Sequence, residues 1–209
     1  MQWTRACYLG AALALITIPA AAGQADTSYK AMVAAAEAGQ AGVDYGKLRG
    51  AYVHSAGYDP YGMAVSNLVD GMRKAYAAGD CKLAAKDAAA ISAQQFTNVE
   101  AHLAAALCFE KSGNKAGAGR QHEIFLGLTG SILESGDGLT PATAFHVVSL
   151  DEEYFVLTAL GLNVGEQALV QLGGHAYDRF AVSAKDFDAK STLYFEIDPI
   201  LGAAKQRPQ

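Results

Sequence analysis

The chain has little of what most recognisable activities require. Its 209 residues include three cysteines, one tryptophan and five prolines, and no proline falls between residues 61 and 140. No run of Lys or Arg exceeds two residues and the net charge is −5, so a nucleic-acid backbone finds no electrostatic footprint. Neither Cys-x-x-Cys nor His-x-x-x-His occurs, which excludes a zinc site of standard local form. Gly-x-Ser-x-Gly, P-loop and dinucleotide fingerprints are absent as well. Charged residues make up only 18% and hydrophobic ones 51%, a balance that excludes a disordered chain and allows a sizeable core.

The one long apolar run lies at the N-terminus. Arg5 precedes the stretch Ala6 to Ile18, followed by Pro19 and Ala20-Ala21-Ala22. This is the pattern of a secretory signal peptide over residues 1–22, with cleavage near Ala22 and Ala25 as the second candidate. The apolar part is shorter than the ~20 residues that a spanning helix needs. The expectation is a periplasmic or secreted protein with no membrane span after cleavage.

The remaining chain divides by composition. Residues 23–62 form a leader of short helices, Ala-rich and then aromatic, ending at Ser55-Ala56-Gly57-Tyr58-Asp59-Pro60. Residues 63–134 are dense in alanine, poor in β-branched residues and free of proline, as helices require. Two turn signals, Gly79-Asp80 and Gly113-Asn114, stand 34 residues apart, the period of a tetratricopeptide helix–turn–helix unit. Ala84 and Ala118, each five residues beyond its glycine, supply the small side chains that let two helices approach closely. His102 stands in place of the signature Trp, and Phe96 and Gly130 in place of the terminal Pro, so the likeness to that repeat is partial.

The same register addresses the cysteines. Cys81 begins one helix and Cys108 lies near the end of the next, which runs antiparallel to it. An exported chain meets an oxidising compartment, so a Cys81–Cys108 disulfide is expected. Buried free thiols are the other reading.

From Ser135-Gly136-Asp137-Gly138 onward the character changes. The pattern gives a strand over 144–149, a helix over 151–160, and three strands over 167–172, 176–182 and 192–197, with a hairpin at Gly173-Gly174. Residues 135–199 therefore read as a small, mostly antiparallel sheet with one helix, and residues 200–209 as a tail. The fold class is α+β, with tetratricopeptide-like helical hairpins preceding the sheet.

Several segments together carry a resemblance. They are Ser135-Gly136-Asp137-Gly138, Thr143 to Val148, Glu153-Tyr154, Leu160-Gly161-Leu162, Gly165 to Val170 and Leu193 to Asp198, with Ala51-Tyr52 and Tyr58-Asp59-Pro60-Tyr61 upstream. This combination resembles the bacterial exported-protein family known as domain of unknown function 4919. The resemblance implies helical repeats capped by an α+β unit, and it brings no activity and no catalytic residue.

The functional candidates are few. Tyr45, Tyr52, Tyr58 and Tyr61 combine apolar area with a hydroxyl, a type frequent in binding surfaces, although rings that cap the first helical unit are the plainer reading. Asp137 sits in a loop that could bind an anion or a cation, or simply turn the chain. Asp151, Glu152 and Glu153 are adjacent on a helix and point in different directions, so the helix N-terminus accounts for them. The leading expectation is a non-enzymatic module that binds a protein or peptide of the cell envelope on its helical repeats, with no cofactor. The alternative is a hydrolase or metal-dependent enzyme near Gly136-Asp137-Gly138, using His146, His175 and Asp178.

Overall fold

A computed structural model describes residues 20–184 and 190–206. The expected signal segment, apart from the backbone of Ala20–Ala22, lies outside the described residues. Eight α-helices and four strands occur among those described: α1 (Ala20–Ala38), α2 (Tyr45–Val53), α3 (Ser66–Ala77), α4 (Cys81–Gln94), α5 (Val99–Lys111), α6 (Lys115–Leu133), β1 (Phe145–His146), α7 (Leu150–Ala159), β2 (Leu162–Leu172), β3 (His175–Ala184), β4 (Lys190–Glu196) and α8 (Asp198–Gln206). The class is α+β. Among the described residues no helix is long and apolar enough to cross a membrane.

One local device sets the helices between residues 66 and 133. Gly79 and Gly113 take φ of +80° and +77° and end α3 and α5, a backbone that costs little without a Cβ. The next residue then caps the following helix. Asp80 accepts from the Leu83 N–H at 3.0 Å, and Asn114 accepts from the Gly117 N–H at 3.0 Å. Consecutive helices α3 to α6 pack against one another, and alanines make the approach possible: Ala84, Ala88 and Ala101 are fully buried. Ala118, by contrast, stays partly exposed.

The sheet order is β1-β4-β3-β2. β2–β3 and β3–β4 are antiparallel, and the short β1 lies parallel to β4. β1 is much shorter than the strand expected over 144–149. The reason is competition for its backbone: the His146 carbonyl accepts from Arg49 at 2.6 Å, and the Val148 N–H donates to Glu152 at 2.8 Å. A second difference is α8, which occupies most of the expected tail. Pro199 follows Asp198 in its first turn, a favourable start, and Ile200 is buried in the main core at 1% exposure.

That core does not respect the compositional boundary at residue 134. Ala36 and Leu48 of the leader and Ile124, Leu128 and Ile132 of α6 share one cluster with Phe145, Phe180, Leu193 and Phe195 of the sheet. The leader and α6 are therefore the layer on which the sheet rests. A separate cluster of Val65, Val69, Met72, Ala88 and Ile91 holds α3 and α4 together.

Candidate functional site

Helix α5 presents Leu103 and Leu107, four residues apart, on one half-buried face. Three hollows of about 410, 170 and 480 Å³ adjoin along it; all share Leu103, and the last two also share Leu107. They form a groove with an apolar floor, bordered by Arg73 of α3, His122 of α6, and Asp151, Tyr154 and Phe155 of α7. Arg73 grips Glu100 in a bidentate pair, with Nε at 2.8 Å from Oε1. Asp151 accepts from the amides of Gln95 and Asn98 at 3.3 and 3.4 Å. Burial pushes its carboxyl above the ordinary carboxylate range, against the pull of Gln95 and Arg73. An acid thus lines a largely apolar trough and accepts from two amides.

The three adjacent acids of α7 do point in different directions, but the helix N-terminus does not account for them. Asp151 faces the groove. Glu152 pairs with Arg49 at 2.8 and 2.7 Å, both side chains almost wholly buried. Arg49 also donates to the carbonyls of Ser131 and His146, so one guanidinium ties α2, α6, β1 and α7 together. Glu153 is fully buried, and neither of its carboxylate oxygens accepts from a donor. Burial first, and the Asp178 carboxylate second, push its pKa up to about 9. Neutral at pH 7, it stands beside Asp178, which accepts from Gln167 at 2.8 Å.

The expected binding tyrosines lie elsewhere. Tyr52 is fully buried, and its hydroxyl accepts from the Asp59 N–H at 3.1 Å. Its ring stacks edge-on against Tyr58, whose hydroxyl donates to the Val148 carbonyl at 2.8 Å. Tyr45 and Tyr61 pack on the main core, and Tyr45 covers Gly127, where no Cβ fits. These rings fasten the leader to the rest of the chain. Asp137 likewise closes its own turn: it accepts from the Thr143 hydroxyl at 2.6 Å and the Leu139 N–H at 2.9 Å. The Thr143 and Leu139 donors hold its carboxyl below the ordinary range.

Cys81 and Cys108 meet as expected, but as free thiols and not as a disulfide. Cys108 is buried with Ala75 and Ala84, where a thiol fills space as a small apolar group. Burial and the neighbouring Cys81 push its pKa up to about 12.

The trio His146, His175 and Asp178 is not assembled. His175 and Asp178 are three residues apart on β3, so they occupy opposite faces of the sheet. His146 and His175 instead meet the acids Glu196 and Asp198: His146 Nε2 lies 3.1 Å from Glu196 Oε2, and His175 Nδ1 lies 2.6 Å from Asp198 Oδ2. Sequence reasoning passed over Glu196, Asp198, Arg49 and Asp151. Arg49 did carry a signal, being a charge beside Leu48 and Tyr52 on an otherwise apolar face.

Fold and groove define an α+β protein in which two helical hairpins and α7 frame a trough beside a small mixed sheet. The chain belongs to the family described as domain of unknown function 4919, whose model matches residues 37–206. Comparison with curated proteins and with solved structures finds no match.

Proposed function

We propose that the protein is a non-enzymatic, exported module that binds an extended protein or peptide segment of the cell envelope in the α5 groove. One observation carries this reading: Leu103 and Leu107 give an apolar surface to adjoining hollows between α3, α6 and α7, with polar groups of those helices also lining them. That is the anatomy of a protein-binding surface. The tetratricopeptide reading of α3 to α6 supports it, because such arrays present their inner helices to ligands. Asp151 adds a preference. A lysine, arginine or N-terminal amine of the ligand would pair with a carboxylate that accepts from the amides of Gln95 and Asn98.

A photo-crosslinking amino acid at Leu107 in cells tests the proposal. A discrete adduct is expected there, and none from the same group at Leu169, which is exposed on the sheet. Replacing Leu103 by Glu should weaken capture at least tenfold, as loss of a central apolar anchor does. Equal labelling at Leu107 and Leu169 would overturn the assignment of the groove.

A further inference from the structure

At one corner of the sheet, strand geometry gathers three metal-ligating side chains, His175, Glu196 and Asp198, with His146 beside Glu196. Glu196 is the register partner of His146 across β1–β4 and of Tyr177 across β3–β4. Neighbours in register point to the same face, and residues two apart on one strand do as well. His175, two residues before Tyr177, therefore joins that face. Asp198, two residues beyond Glu196, stands beside it at the start of α8.

The distances agree with this placement. His146 Nε2 to Glu196 Oε2 is 3.1 Å, His175 Nδ1 to Glu196 Oε1 is 3.9 Å, and His175 Nδ1 to Asp198 Oδ2 is 2.6 Å. Ligand atoms of His175, Glu196 and Asp198 all lie within 4.8 Å of one another. A tetrahedral zinc site with bonds of about 2.0–2.1 Å places its ligand atoms about 3.4 Å apart, so the observed spacings bracket the requirement. The second oxygen of Asp198 accepts from the Ala176 N–H at 2.8 Å, which fixes the carboxylate. Such outer contacts orient metal ligands. Among the described residues, no Lys or Arg forms an ion pair with Glu196 or Asp198; the partners there are His146 and His175.

We infer that His175, Glu196 and Asp198 bind one Zn²⁺ ion, with His146 paired to Glu196 beside them. An imidazole with two carboxylates suits zinc better than magnesium or calcium, which prefer all-oxygen shells. Three protein donors leave the fourth tetrahedral position to a water. The site ties the start of β3, the end of β4 and the start of α8 at one corner. It lies outside the α5 groove and does not depend on the reading given for that groove.

Isothermal titration of the metal-free full chain with ZnCl₂ at pH 7.5 tests this. One ion should bind with a Kd below about 10 µM. His175→Ala and Glu196→Gln should each weaken binding at least tenfold, whereas His54→Ala should leave it unchanged. His175 and His146 are more than half exposed, so their loss spares the core, and far-UV circular dichroism confirms folding. A Kd weaker than about 10 µM, or one unmoved by His175→Ala, would overturn the site.

Discussion

The two halves of the molecule handle polar groups differently. Between α3 and α6 they bond mostly within a few residues. Asp80, Asn98 and Asn114 each accept from the N–H three residues on, and the Arg73–Glu100 pair lies at the surface. Around the sheet, polar groups are buried and reach across the chain. Arg49 meets Glu152 across 103 residues and the His146 carbonyl across 97. The hairpins are therefore held by local signals and apolar packing, whereas leader, α6 and α7 are held in register by buried charge. The difference predicts where a single substitution does most harm.

Removing one member of the buried pair should have the largest effect. Arg49→Met leaves Glu152 charged and two carbonyls without donors, and should cost about 3–5 kcal/mol, read by urea denaturation. Adding Glu152→Leu should restore part of that loss. A cost below about 1 kcal/mol would mean that the pair is no more than a surface salt bridge in effect.

Glu153 comes next, with the opposite sign. Its folded-state value of about 9 exceeds the ordinary 4.5, so between those values the folded chain holds a proton that the unfolded chain has lost. The stability this group gives is complete below about pH 4.5 and drains away as pH rises through 9, by up to about 1.4 kcal/mol per pH unit. Glu153→Gln places a permanently neutral side chain beside Asp178. It should stabilise the protein at pH 8 by about 1–3 kcal/mol and flatten the pH profile. An unchanged pH slope would contradict a protonated Glu153.

The hairpins should respond more mildly. Asn114→Ala removes a cap and should cost about 1 kcal/mol, with the loss confined to hydrogen-exchange protection in α5 and α6. Arg73→Ala breaks only an exposed pair, so its cost should stay within about 1 kcal/mol. A change that exceeds the Asn114 effect would erase the contrast between the halves. Chemistry at the cysteines sharpens the comparison further. With its thiol buried and its pKa near 12, Cys108 should resist iodoacetamide at pH 8 in the folded protein, and the more accessible Cys81 should react. Equal rates would place Cys108 outside the hairpin core.

The same contrast explains what could be read from the residues alone. The hairpins were legible because their cause is local: a glycine that ends one helix and an Asx residue that caps the next, repeated after 34 residues. The hairpin at Gly173-Gly174 and the strands around it were legible for the same reason. Helix α8 was not, since its apolar content is little more than Ile200 and Leu201, and its stability comes from the core it covers. β1 was read too long because the groups that interrupt it, Arg49 and Glu152, are remote in sequence. The alternation of a strand could have separated His175 from Asp178 and joined it to Glu196 and Asp198. The position of the groove could not be read at all, since α7 reaches α5 only through the tertiary fold.

The central claim is that the α5 groove receives another polypeptide. Native mass spectrometry of the untagged protein, isolated from the envelope fraction, tests it most directly when wild type and Leu103→Glu are compared. The account predicts a second polypeptide at fixed stoichiometry on the wild type and its loss from the variant. A wild-type chain without a polypeptide partner, or a partner retained by Leu103→Glu, would contradict it.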